Sequence, residues 1–232
     1  MDIQATIQHN LEEVRGRIAE ACRRSGRDAD SVQLVAVTKT RGIEAIRALI
    51  TSGQTVLGEN RIQEALPKIE QIAAEWHLIG HLQTNKAKHI PGKFRLVHSV
   101  DNARLIKALN AAAQDEPVHC LLQVNMSGEK QKSGCEPSEA LPLLDLAASL
   151  PHIQMQGLMT MAALTDDPEL ARPAFARLRQ LRDQLLARGI PKETLAHLSM
   201  GMSGDYEVAI EEGATLVRVG SAIFKGINEV QQ

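Results

Sequence analysis

Leu34-Val35-Ala36-Val37-Thr38-Lys39-Thr40 is an apolar run that ends on a lysine. Its leading residues show no polar alternation, the pattern of a strand buried on both faces of a parallel sheet. Seven similar short runs follow this first one, which spans 32–38, at 55–58, 77–80, 96–100, 118–124, 153–159, 196–199 and 216–220. Between them the apolar residues recur at helical spacing, as in Ile43, Ile46, Leu49 and Ile50, or Phe175, Leu178, Leu181 and Leu185. Leu105, Ile106 and Leu109, and Leu141, Leu144, Leu146 and Leu150, repeat the pattern. Strands alternating with helices read as repeated βα units.

Ile3, Ile7, Leu11, Val14 and Ile18 place an amphipathic helix ahead of the first strand, ending near Ser25-Gly26. One leading helix and eight βα units in 232 residues predict an α/β chain, a (β/α)8 TIM barrel with an extra N-terminal helix, as one domain over 1–232. A doubly wound open sheet is the alternative. It needs fewer strands, and no Gly-x-Gly-x-x-Gly follows any of these runs. The polar stretch 125–134 reads as a loop after the fifth strand, and its Lys130 and Lys132, like Lys86 and Lys88, as solvated charges.

Composition excludes several functions. Net charge is −2 and aromatic residues make up 2% of the chain, so neither a phosphate-neutralising face nor a set of base-stacking platforms is available for nucleic acid. Cys22, Cys120 and Cys135 are odd in number and lack CxxC spacing, which reads as free thiols in a reducing compartment. No signal peptide and no membrane-length apolar run occur, so a soluble cytoplasmic protein is expected. His77 and His81 are four residues apart, which along a strand spans about 13 Å and cannot chelate one metal. No metal is expected.

Lys39 has two readings. Desolvation at the end of a buried strand favours a neutral amine able to attack a carbonyl, whereas a strand ending one residue earlier would let the side chain snorkel to solvent. Barrel closure sharpens the choice by setting the eighth strand beside the first, and so Arg218 of Leu216-Val217-Arg218-Val219-Gly220 near Lys39. A buried guanidinium needs an acceptor, either a ligand or a carboxylate such as Glu211 or Glu212. In this fold the loops after strands seven and eight often hold phosphate, and here they read Ser199-Met200-Gly201-Met202-Ser203-Gly204-Asp205 and Val219-Gly220-Ser221. Ser203 and Ser221 also suit plain N-caps, as does Asn60 in Gly58-Glu59-Asn60-Arg61. An aldehyde, a phosphate and a ring nitrogen on one ligand would engage the whole set. Pyridoxal 5'-phosphate is such a ligand.

Several blocks in order resemble one family. They are Val35-Ala36-Val37-Thr38-Lys39, Gly58-Glu59-Asn60, His77-Leu78-Ile79-Gly80-His81-Leu82-Gln83-Thr84-Asn85-Lys86, His98-Ser99-Val100-Asp101, Lys132-Ser133-Gly134, Gly157-Leu158-Met159-Thr160-Met161, Leu198-Ser199-Met200-Gly201-Met202-Ser203 and Val217-Arg218-Val219-Gly220-Ser221-Ala222-Ile223-Phe224. With these the chain resembles the pyridoxal phosphate homeostasis proteins, single-domain relatives of the alanine racemase N-terminal barrel. The resemblance implies pyridoxal phosphate held as an internal aldimine on Lys39, Arg218 facing the pyridine nitrogen, and the phosphate held by Ser203, Gly220 and Ser221. It also implies that Ser199, Met200 and Asn60 line the pocket. Where such chains usually have Gly directly after Ala-Ile-Phe, this one has Lys225 and then Gly226.

A guanidinium at the ring nitrogen opposes protonation there and weakens the cofactor as an electron sink. The alanine racemases that the barrel resembles take a second base, a tyrosine, from another domain; here the barrel is expected to end near Phe224, and Tyr206 is the sole tyrosine. The expectation is therefore a monomeric non-enzymatic carrier in intracellular vitamin B6 homeostasis, affecting amino-acid balance, with apo forms of pyridoxal phosphate enzymes as partners. The alternatives are a pyridoxal phosphate-dependent racemase or decarboxylase of weak activity, and a cofactor-free Schiff-base aldolase using Lys39.

Overall fold

The eight apolar runs become the parallel strands β1 (Gln33–Val37), β2 (Val56–Glu59), β3 (Glu75–Leu78), β4 (Leu96–Val100), β5 (Val118–Gln123), β6 (Ile153–Met159), β7 (His197–Ser199) and β8 (Leu216–Val219). They close in sequence order, β1 pairing with both β2 and β8, into one barrel. The computed structural model describes residues 2–113, 116–128, 133–163 and 165–228. Lys130 and Lys132 lie outside the described residues. The expected barrel is therefore observed, with boundaries that differ by one or two residues at several strands. β3 starts and ends two residues before the expected run, and β1 stops at Val37.

Helices α1 (Ile3–Arg24), α2 (Ile43–Thr51), α3 (Ile62–Ile69), α4 (Ala103–Ala112), α5 (Ala140–Ala148), α6 (Arg172–Ala187) and α7 (Tyr206–Glu211) sheathe the barrel, with a 3-10 turn at Thr84–His89 after β3. The residues facing the sheet form one extended apolar layer. A smaller cluster of Val35, Val37, Ile79, Leu96, Leu121, Met159 and Leu216 plugs the barrel interior. Two apolar compartments on opposite faces of each strand explain why the runs lack polar alternation.

α1 ends at basic Arg23 and Arg24 and is capped by Asp2, whose carboxylate accepts from the Gln4 amide. It packs on α2 and α7 through Ile7, Leu11, Val14 and Ile18. Asn10, buried on the same face, donates to the carbonyls of Ile223 and Lys225, each at 2.9 Å. The leading helix thereby fastens the turn that follows β8. The Lys225 side chain is exposed there and is not part of the cavity wall described below.

Fully buried Leu11 gives a direct check on α1. Leu11→Ala should lower stability by about 2–5 kcal/mol, read from urea unfolding monitored by circular dichroism.

Candidate functional site

At the C-terminal ends of the strands a cavity of about 460 Å³ is lined by residues from seven of the eight strand-end regions, all but that of β4. Lys39, Asn60, Ser203, Arg218, Gly220 and Ser221, all expected from the sequence, are on its wall. Ser199 and Met200 are not. Both are fully buried: Ser199 meets Arg218 inside the barrel, while Met200 belongs to the apolar layer between strands and helices.

Lys39 is exposed and lies two residues beyond the end of β1, so burial of the strand does not extend to it. What holds it is the preceding residue. Thr38 is buried, its hydroxyl donates to Glu59 Oε1 at 2.6 Å, and Lys68 Nζ donates both to the Thr38 carbonyl at 2.8 Å and to Glu59 Oε1 at 2.6 Å. This ion pair clamps the tips of β1 and β2 together under the site. Thr40, next in the chain, has φ 61°, the only non-glycine in the left-handed region among the described residues, and its hydroxyl donates to the Lys39 carbonyl. Such a conformation costs about 1–3 kcal/mol and marks a turn held for a purpose.

Asn60 is not the cap of α3. Arg61 occupies that position and makes no side-chain cap bond, which leaves Asn60 to face the cavity. Its carbonyl passes so close to Gly80 that a Cβ there would sit 2.2 Å from it. Only glycine lets the loops after β2 and β3 approach this closely.

Arg218 is 3% exposed and level with Val35 across the closure, four residues before Lys39, yet both side chains reach the same cavity. Its guanidinium donates to Ser199 Oγ and, at 3.0 Å, to the Thr160 carbonyl. Burial pushes its pKa down to about 10, against a counteracting pull from Asp205. Glu211 and Glu212 are not its partners. They pair instead with Arg172, at 2.7 and 3.1 Å, and with Arg24 and Arg179 on the outer surface.

The loop after β7 turns at Gly201, φ 94°, where a Cβ would meet the Tyr206 backbone at 2.8 Å. Asp205 Oδ1 accepts from the Met202 amide at 2.6 Å and shapes this turn. Ser203 Oγ then accepts from two backbone amides of the next loop, Gly220 N–H at 3.2 Å and Ala222 N–H at 3.5 Å. Two amides converging on one oxygen form a nest suited to an anion. Gly220 sits close to β1, where a Cβ would meet Val37 Cβ at 3.1 Å and its carbonyl oxygen at 3.2 Å, a tight contact.

Sequence reasoning missed other wall residues. Gln123 and Ser133 come together because the loop after β5 returns on itself, Cys135 N–H donating to the Gln123 carbonyl and Gln123 Nε2 to the Ser133 carbonyl. Met161 and His81 also line the cavity. The cysteines are free and buried, and no group of metal-ligating side chains occurs among the described residues. Among the described residues no helix is long and apolar enough to cross a membrane.

Comparison with known proteins places these features in a wider set. Residues 4–228 match the model of the alanine racemase N-terminal domain. A chain of Aquifex aeolicus named pyridoxal phosphate homeostasis protein is 43% identical, covering 92% of this chain and 95% of that one. The solved structure of PipY from Synechococcus elongatus PCC7942 with PLP bound is 33% identical, covers 94% of this chain and 99% of that one, and superposes with a TM-score of 0.81. Alanine racemase of Corynebacterium glutamicum, 16% identical with a TM-score of 0.72, covers 97% of this chain and 64% of its own, and shares the fold.

The clamp below Lys39 is open to test. Lys68→Met leaves Glu59, fully buried, without its counter-charge and should cost about 3–5 kcal/mol in thermal or chemical unfolding, with Glu59→Gln in the same chain recovering part of the loss.

Proposed function

The chain belongs to the pyridoxal phosphate homeostasis protein family, built on the alanine racemase N-terminal barrel, and on that premise we propose that it binds pyridoxal 5'-phosphate in the cavity at the strand ends. Its role in this reading is to hold and hand over the cofactor in vitamin B6 homeostasis, and through that to influence amino-acid balance. The observation that carries the reading is chemical. One cavity gathers a primary amine, a guanidinium with only donors to offer, and an amide nest, which together match an aldehyde, a ring nitrogen and a phosphate.

When bound, the cofactor supplies an aldehyde carbon open to attack by a primary amine. Lys39 Nζ is the amine on the wall and acts as the covalent tether. Arg218 would donate to the ring nitrogen, and the Gly220 and Ala222 amides, with the hydroxyls of Ser203 and Ser221, would hold the phosphate. Asn60 also lines the cavity, Ser199 acts through Arg218 by accepting from it, and Met200 acts indirectly, packed in the apolar layer around the strands.

Two observations favour carriage over turnover. A guanidinium remains charged even with its pKa pushed down to about 10, so it opposes protonation of the ring nitrogen and weakens the electron sink that racemases and decarboxylases need. Removing and returning an α-proton on opposite faces also needs two placed groups. Tyr206, the sole tyrosine, is 1% exposed on the outer side of the barrel, with the Arg17 guanidinium of α1 5.4 Å over its ring. It does not line the cavity. The partners in this reading are apo forms of pyridoxal phosphate-dependent enzymes, and the carrier acts as a monomer.

Loading the protein with pyridoxal phosphate should produce an absorbance band near the visible edge that borohydride removes, leaving a mass addition on the Lys39 peptide. Lys39→Ala should abolish both, and a colourless loaded protein would sink the reading. Incubated with amino acids in D2O, the loaded protein should show no Lys39-dependent α-proton exchange. Measurable exchange would instead favour a weak racemase or decarboxylase.

A further inference from the structure

A hydrogen-bonded chain of five side chains crosses the barrel interior beneath the cavity. Glu75 and His77 stand two residues apart on β3 and so share its inward face. Glu75 Oε1 lies 3.0 Å from His77 Nε2, His77 Nδ1 lies 2.9 Å from His98 Nε2 on β4, and His98 Nδ1 lies 2.8 Å from Ser199 Oγ on β7. Ser199 Oγ meets the Arg218 guanidinium on β8. At its far end Glu75 opens on a second cavity of about 440 Å³, at the opposite mouth of the barrel. His77, His98, Ser199 and Arg218 are each at most 3% exposed, so their bonding is mainly to one another.

The two ends of this chain fix its direction. A guanidinium has only donors and an ionised carboxylate only acceptors. Arg218 therefore donates to Ser199 Oγ, and the one hydroxyl proton of Ser199 goes to His98 Nδ1. With Nδ1 accepting, His98 carries its proton on Nε2 and donates to His77 Nδ1. His77 in turn donates from Nε2 to Glu75 Oε1. Every link is satisfied in this one orientation, with one proton on each imidazole. Reversing any link sets two protons against each other or leaves a buried nitrogen bare, at a cost that buried networks rarely carry.

The charges around the chain agree with this state. Burial, then His77, Arg218 and His197, hold His98 well below the ordinary imidazole range, so it stays neutral beside the guanidinium. The bond from His77 holds the Glu75 carboxyl below its usual value, with Arg95 pulling the same way. Asp205 is the acidic group nearest in influence to Arg218.

We propose that His98, backed by His77 and Glu75, is a positioning residue for Arg218, its accepting Nδ1 keeping the Ser199 hydroxyl turned away from the guanidinium so that Ser199 Oγ remains an acceptor. The donors of Arg218 that Ser199 and Thr160 do not use are thereby aimed into the cavity, toward the ring nitrogen. The target of those donors rests on the pyridoxal phosphate reading. The polarity of the chain does not.

The experiment therefore has two arms. In the first, ¹⁵N-histidine NMR of the cofactor-free protein should show His77 and His98 with bare Nδ1 and protonated Nε2, with His98 unchanged from about pH 6 to 8, where an ordinary histidine titrates. A protonated Nδ1 on His98 would overturn the proposal. In the second, pyridoxal phosphate is titrated into the parent protein and into His98→Leu, Ser199→Ala and Ser199→Thr, with a ¹⁵N-labelled ring nitrogen as a further probe. His98→Leu and Ser199→Ala should bind about tenfold more weakly and shift the ring-nitrogen resonance, while Ser199→Thr, which keeps the hydroxyl, retains parental values. If His98→Leu fails to fold, the Ser199 pair decides. Parental affinity and resonance in Ser199→Ala would overturn the positioning role. A parent protein that binds no pyridoxal phosphate would defeat the cofactor reading, leaving the tautomers of the first arm to decide the chain.

Discussion

The pairing of β8 with β1 is the constraint on which the rest depends. Gln33 to Ala36 align with Leu216 to Val219, joining segments that lie at opposite ends of the sequence. An open parallel sheet of these strands would expose two edges of unpaired amides and carbonyls, and closure satisfies both at once. It also sets Gly220 close against Val37, where an added Cβ would make a tight contact of 3.1 Å. The amine of Lys39, the guanidinium of Arg218 and the amides after β8 share a cavity because of this seam. α1 reinforces it from outside, through the Asn10 bonds to the turn after β8.

The barrel interior departs from an all-apolar filling. Seven aliphatic or thioether residues form its plug, but a polar chain from Glu75 to Arg218 runs through it. A buried polar group without a partner costs about 1–3 kcal/mol, so such a chain is tolerable only when complete. Completion here comes from a carboxylate at one mouth and a guanidinium at the other. The same logic acts at the tips of β1 and β2, where Lys68, Thr38 and Glu59 meet under the Lys39 turn. Buried, hydrogen-bonded groups thus stand beneath the site, although Glu59 Oε2 has no partner of its own.

Much of this was legible in the residues. The eight runs, the leading helix and the small-residue loops after strands seven and eight are local patterns, and they correspond to the observed elements. β3 was misjudged because Glu75 made its start look polar, when that carboxylate in fact points along the barrel interior to His77. Ser199 and Met200 were expected on the wall from the family resemblance; both are fully buried and do not line the cavity. Arg218 was correctly read as a buried cation in need of an acceptor, but its partners, a serine on β7 and a carbonyl after β6, carry no sequence mark. A signal for the interior chain did exist. Glu75, His77, His98, Ser199 and Arg218 are polar residues inside strands that burial on both faces should keep apolar.

The sequence by itself determined the alternation of strands and helices, the order of the βα units and which residue types could meet a carbonyl, a phosphate and a ring nitrogen. Those properties follow from periodicity and side-chain chemistry, which are local. Only the tertiary structure decided that Lys39 stands exposed on a turn clamped from below, that Arg218 answers to Ser199 and Thr160 rather than to a carboxylate, and that two histidines connect it to Glu75 across the barrel. Each of these depends on strand register and barrel closure. They bring together residues separated by up to about the length of the chain, and no spacing along the sequence encodes them.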